Sequence, residues 1–496
     1  MRPHRMEREL PIELNITARE PFAEGHVFGE AGAYERLTGT VRFRVDPARA
    51  PVSGVVDIER AQRDGDGLVS FSAPVFILKP VDMARSNGRI LYEVNNRGDK
   101  HLLRILNDAP LNADRAYVND PRTLGHAGNG FLMRMGYVVV WSGWQGDLLP
   151  MADKLTLDLP RLNDEEAVTG LVRSEIITDL PDTFVMPISG TDFLKSYPVA
   201  IGAEAEATLS ARELGTDRRE PVAKDDWAFA QRTQDGGLVS SRTHLYVKGG
   251  YRPGWLYEVI YRAACPQPMG LGFIGVRNLL SFLQYEPRDA AGNANPLWDG
   301  GRRIEKAYIW GYSQCARFIR EFIYRGYNAD DQGRQVVQAA HAHVPGGGRV
   351  VLNYRFAQPG RHPRQHQDTL YRTDDFPFAY AESKDPFSAA RDGILRRPDT
   401  DPVMFTTQGS TEYWERRASL VHTDGRGNYV ADHPRSRNYL LRSAPHDPVP
   451  YVEPIDEFCA YPRNLLRSSA TLRALLVALD EWATSGAPPP DSAVPK

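Results

Sequence analysis

Between Lys306 and Gly326 the chain reads Lys-Ala-Tyr-Ile-Trp-Gly-Tyr-Ser-Gln-Cys-Ala-Arg-Phe-Ile-Arg-Glu-Phe-Ile-Tyr-Arg-Gly, and no other segment restricts its fold so tightly. A short apolar strand runs into Gly311-Tyr312-Ser313, and a helical period begins at once. Phe318 and Phe322, like Ile319 and Ile323, recur at i, i+4, and Arg325 followed by Gly326 is a helix stop. The pattern predicts a strand over 306–310 and a helix over 314–325. A serine at such a junction occupies a tight turn at the carboxyl end of a central strand, with its hydroxyl presented outward. The first helical N–H, that of Gln314, then points at the oxygen of an incoming carbonyl. Serine is also a common helix cap, but the preceding strand and suitable partners downstream favour a nucleophile at Ser313. The fifth motif position is Cys315 where glycine is usual, a small residue that keeps the close approach feasible.

The surrounding chain alternates strand and helix. Strands are expected over 33–45, 69–80 and 88–98, and at the apolar run beginning Gly136-Tyr-Val-Val-Val-Trp. A helix is expected from about Lys100. Residues 151–245 change texture, with frequent Pro, Asp and Thr and short strand signals, and read as an inserted β-rich unit. The α/β alternation is expected to resume at Trp255, with helices over 275–283 and 470–482 and strands over 336–344, 402–407 and 438–442. Residues 349–400 read as an irregular, lid-like segment. The expected organisation is therefore a first core part over 1–150, the insertion, and a second core part over 246–496 around a mostly parallel sheet covered on both faces.

A serine hydroxyl needs a base to accept its proton, and the base needs an orienting carboxylate. Two strand ends after Ser313 supply candidates. Glu412 lies just beyond the apolar stretch starting at Val403, and His446 just beyond the one starting at Asn438. Asp401 and Asp424 are less well placed as acids, and His422 and His433 lack a preceding strand. A second oxyanion donor is expected in the turn Asn95-Asn96-Arg97-Gly98, from Asn96 or Arg97, with Asn96 taken first. Tyr312, Arg97 and His343 are expected to face the substrate.

These segments resemble a poorly characterised family of α/β-hydrolase-domain proteins. The resemblance is carried by Gly311-Tyr-Ser-Gln314 with Arg317-Phe-Ile-Arg-Glu-Phe322, and by Met269-Gly-Leu-Gly-Phe273, Arg355-Phe-Ala-Gln-Pro359, Glu412-Tyr-Trp414 and Leu472-Arg-Ala-Leu-Leu476. It implies an α/β-hydrolase fold and the triad Ser313, Glu412, His446. Where the family has Ser-Gly after the glutamine, this chain has Cys315-Ala316, and a His-Gly pair at the base is here His446-Asp447.

A net charge of −3, with 25% charged residues, offers no field for nucleic acid or an anionic membrane. The first ten residues lack the apolar run of a signal peptide, so a cytoplasmic location is expected. Cys265, Cys315 and Cys459 are too scattered for a disulfide framework or a zinc site. Gly270-Leu-Gly272-Phe-Ile-Gly275 matches the dinucleotide pattern in letters, but no strand precedes it. His341 and His343, with His362 and His366, invite a metal reading, yet no acidic residue is interleaved at ligand spacing. The expectation is a cofactor-free serine hydrolase acting on a small to medium organic ester, with no nucleic-acid or membrane partner. The alternatives are a non-catalytic binding protein on the same fold and a metal-dependent hydrolase using the histidine pairs.

Overall fold

The computed structural model describes residues 11–112, 117–151, 153–298, 303–361, 374–449, 461 and 464–496. Nine strands form the central sheet: β1 (Ile12–Pro21), β2 (Tyr34–Val45), β3 (Val69–Pro80), β4 (Arg89–Val94), β5 (Val138–Ser142), and later in the chain β10 (Lys306–Tyr312), β11 (Ala339–His343), β12 (Val403–Gly409) and β13 (Ser436–Leu441). Their spatial order is β1-β2-β3-β5-β4-β10-β11-β12-β13. The first three pair antiparallel, and β3 meets β5 antiparallel. From β5 onward every pairing is parallel, so the carboxyl ends of β4, β10, β11, β12 and β13 share one edge.

The parallel strands are apolar on both sides because both sides are covered. Along β10, Ala307 and Ile309 enter one core while Tyr308 and Trp310 enter the other. Along β5, Val138 and Val140 oppose Val139 and Trp141 in the same way. Helices α3 (Leu271–Tyr285) and α4 (Gln314–Tyr324) supply the first core; α1 (Leu102–Asn107), α2 (Phe131–Arg134) and α6 (Ser469–Ser485) supply the second. The short α5 (Ser410–Glu415) follows β12. No helix among the described residues is long and apolar enough to cross a membrane.

The β-rich segment has its own core, built on β6 (Gly170–Ile176), β7 (Thr208–Arg212), β8 (Glu220–Pro221) and β9 (Leu256–Ala263). Here one expectation is corrected. The run from Trp255, read as the return of α/β alternation, is β9, the centre of this second sheet, paired antiparallel with β6 and β7. A strand buried on both faces has the same apolar signature in either sheet, so periodicity could not assign it. Within 349–400 the described residues hold two two-residue strands and otherwise irregular backbone.

The glycines that resemble a dinucleotide fingerprint have a packing role. A Cβ at Gly272 would lie 2.2 Å from the Trp144 carbonyl oxygen, and one at Gly270 would lie 2.4 Å from the Asn353 side chain. Replacing a helical glycine by alanine ordinarily gains ~0.5–1 kcal/mol. At Gly272 the collision is with backbone, which cannot rotate away. Gly272→Ala should therefore lose ~1–3 kcal/mol net, read as a lower urea midpoint with an unchanged m-value.

Candidate active site

The elbow has the geometry that its sequence requires. Ser313 has φ 61° and ψ −115°, far from the extended backbone of an ordinary cap, and its side chain makes no capping bond to α4. Gly311 is obligatory: a Cβ there would lie 2.7 Å from the carbonyl carbon and oxygen of Cys315. The Ser313 N–H donates to the His343 carbonyl at 2.8 Å, which ties the turn to the end of β11.

Ser313, His446 and Glu412 meet above the carboxyl edge of the sheet. His446 Nε2 is 2.9 Å from Ser313 Oγ, and His446 Nδ1 is 2.5 Å from Glu412 Oε1. The imidazole is 40% exposed, whereas the Glu412 side chain is fully buried. Glu412 Oε2 accepts the Gly409 N–H at 2.8 Å, so both carboxylate oxygens have donors. The competing acids are engaged elsewhere. Asp424 accepts from its own turn at Arg426 and Asn428, and Asp401 from the Arg397 N–H.

The loop carrying His446 is fixed by contacts that the sequence did not reveal. The Ser410 N–H donates to the Ala444 carbonyl, and the Ser443 N–H to Ser410 Oγ, each at 2.9 Å. A Cβ at Gly409 would lie 2.8 Å from both the Ala444 oxygen and Glu412 Oε2. Asp447 receives both terminal nitrogens of Arg104, at 2.9 and 3.1 Å, across 343 residues of sequence. The departure from His-Gly at 446–447 was the visible trace of this clamp. Its partner on α1 gave no local signal.

Two N–H groups near Ser313 have no acceptor among the described residues: that of Gln314, at the start of α4, and that of Arg97, in the turn after β4. Of the two residues expected to supply the second oxyanion donor, Asn96 has its donors engaged. Its N–H donates to the Asp99 carbonyl at 3.0 Å, and its side-chain amide to the Tyr312 carbonyl at 3.2 Å. Arg97, with φ 52°, turns its own N–H out of that closure. Cys315 holds the same turn from below: burial raises its thiol pKa well above normal, and its Sγ donates to the Asn95 carbonyl at 3.1 Å.

The three residues expected at the substrate have different surroundings. The Arg97 guanidinium donates to the Gly360 carbonyl and to Asn96 Oδ1, each at 2.8 Å, and so braces the turn. The Tyr312 ring packs 5.1 Å from His446 and 5.9 Å from His343. His343 is 1% exposed, behind the site rather than on an open wall, because β11 is an interior strand. His343 Nδ1 and His341 Nε2 lie 2.7 and 3.0 Å from the Thr407 hydroxyl. His362 and His366 lie outside the described residues. Among the described residues no group of three or more His, Cys, Asp or Glu is arranged to hold a metal ion.

Sheet order, elbow and covering helices together are those of the α/β-hydrolase fold. Residues 278–495 match the model of a family described as alpha/beta hydrolase domain, in agreement with the resemblance carried by the elbow and its flanking segments. No curated protein matches the chain. Among solved structures, a glucuronoyl esterase from Solibacter usitatus is similar at 9% identity, over 87% of this chain and 81% of that one, with a TM-score of 0.28. Another structure of that enzyme gives 9% identity, 87% and 82% coverage and a TM-score of 0.29.

Two tests follow from this geometry. Gly409→Ala should force the Glu412 carboxylate and the 443–446 loop apart, so any activity of the site should fall at least roughly tenfold with the far-UV spectrum intact. The second concerns His341, whose pKa burial pushes down to about 3 from 6.5. A histidine with a depressed folded pKa lends stability that is complete above pH 6.5 and is lost as pH falls from there toward 3. His341→Gln keeps an amide near the Nε2 position and removes that titration. The stability difference, wild type minus variant, should therefore shrink by ~1.4 kcal/mol per pH unit below 6.5, measured by urea unfolding at pH 7.5 and 5.5.

Proposed function

We propose that the chain is a serine-dependent hydrolase of carboxylic esters that works through an acyl-enzyme, on a small to medium organic ester. One observation carries the reading: a single imidazole lies within hydrogen-bond distance of both Ser313 Oγ and a fully buried carboxylate. In this scheme His446 Nε2 takes the Ser313 proton as Oγ attacks the ester carbonyl. Glu412 fixes the ring through Nδ1 and stabilises the imidazolium that forms. The N–H groups of Gln314 and Arg97 receive the developing oxyanion, a role supported by their having no acceptor among the described residues. His446 then returns the proton to the leaving alcohol, and water repeats the sequence on the acyl-enzyme.

A fluorophosphonate probe and a 4-nitrophenyl ester test the scheme. Wild type should label and turn over. Ser313→Ala should lose labelling and lower kcat/KM roughly 10⁴-fold or more, and His446→Ala should lower it comparably. Glu412→Gln, which keeps the shape but not the charge, should lose somewhat less. Wild-type protein that neither labels nor cleaves any ester would end this reading. A crippled Asp424→Asn beside a nearly normal Glu412→Gln would mean that the acid is misassigned.

A further inference from the structure

Buried arginines in this fold have partners. Arg320 donates to the Gly347, Gly348 and Phe378 carbonyls, Arg277 pairs with Asp331, Arg349 with Glu321, Arg212 with Glu175 and Arg104 with Asp447. Arg317 differs. It is 8% exposed, yet among the described residues its guanidinium has neither an ion pair nor a hydrogen-bond acceptor. A cation largely withdrawn from water without a paired counter-charge is costly, and the little surface this one keeps is where a ligand could meet it.

Its position suggests a task. Arg317 is one helical turn beyond the nucleophile, and its backbone N–H donates to the Ser313 carbonyl at 3.2 Å. The charges around it come from the elements that build the site. Arg97 belongs to the turn with the free N–H, and Arg416 closes α5, the helix of Glu412, its N–H donating to the Glu412 carbonyl at 2.9 Å. Burial first, and then these two like charges, pull the Arg317 pKa down to about 9, while Asp374 opposes them. No carboxylate among the described residues pairs with the Arg317 guanidinium, although Asp374 lies close enough to act on it and Asp147 and Asp99 act on Arg97. The Arg97 guanidinium is already spent on Gly360 and Asn96. A single free guanidinium fork matches one planar carboxylate in bidentate fashion.

We infer that Arg317 recognises a carboxylate carried by the substrate, so that the site takes anionic monoesters, with one ester and one free carboxylate, in preference to neutral esters. This rests on the ester-hydrolase reading, and the tests separate the two. Glutaric acid mono-4-nitrophenyl ester is compared with 4-nitrophenyl valerate, for a carboxylate on the acyl side. 4-Acetoxybenzoate is compared with 4-acetoxybenzamide, for one on the leaving group. Wild type should favour the anionic member of at least one pair by tenfold or more in kcat/KM, mainly through KM. Arg317→Gln should erase that preference and Arg317→Lys retain part of it. A merely structural arginine would shift the melting temperature and leave the ratio unchanged. Independently of turnover, glutarate should bind the Ser313→Ala protein in a calorimetric titration and fail to bind Ser313→Ala/Arg317→Gln, with inorganic phosphate a poor competitor. If Arg317→Gln does not fold, Arg317→Lys and the wild-type ratio decide. Cleavage of neutral esters with no anionic preference in wild type overturns this inference and leaves the hydrolase reading intact. Glutarate binding that depends on Arg317, without cleavage of any ester, does the reverse. Equal competition by phosphate overturns the choice of carboxylate.

Discussion

Everything at the carboxyl edge of the sheet depends on how closely α4 approaches β10. With no side chain at Gly311, the first turn of the helix rests on the strand, and the one residue left between them, Ser313, must take φ 61°. Holding a non-glycine residue there costs ~1–3 kcal/mol. The turn is over-determined by its surroundings: the Ser313 N–H is taken by the His343 carbonyl, and Cys315 is anchored to Asn95. The result is a hydroxyl with no capping duty, free to face an imidazole.

The other participants are set relative to this point by contacts remote in sequence. The Arg104 fork and Asp447 bind the His446 loop to α1, Ser410 and Ala444 bind it to α5, and Arg97 and Gly360 bind the turn after β4 to the irregular segment. Chemistry of this kind tolerates little displacement of the reacting groups. It is consistent that the supports are charge-assisted bonds and glycine close approaches rather than apolar packing alone. The field they create is uneven. Glu412 is sealed and doubly satisfied, while Arg317, one turn from Ser313, is buried with no carboxylate paired to it among the described residues.

Much of this was legible in the chain. The i, i+4 phenylalanines and isoleucines after Ser313 specified α4, and the strand ends before Glu412 and His446 placed both at the same edge, because a parallel sheet delivers successive strand ends to one side. The residues that failed did so for identifiable reasons. Asn96 and Arg97 are adjacent in a turn, and which N–H is consumed depends on a closure to Asp99 that composition does not encode. His343 was expected to face the substrate from the end of its strand, but that strand is interior, with both neighbours paired, and the ring is buried. The strand at 256–263 was recognised as a strand and assigned to the wrong sheet, since apolar runs carry no address.

Behind the site, Thr407 offers one hydroxyl hydrogen to two imidazoles, at His341 Nε2 and His343 Nδ1. It can donate to one of them and must accept from the other, so the two neutral rings hold the same tautomer, both Nε2–H in one arrangement and both Nδ1–H in the other. β11 and β12 are thereby joined by a polar link with a direction, from one histidine through the hydroxyl to the next. Reversing that direction means moving the proton on both rings together, so the pair behaves as a single unit with two internal arrangements rather than as two independent side chains.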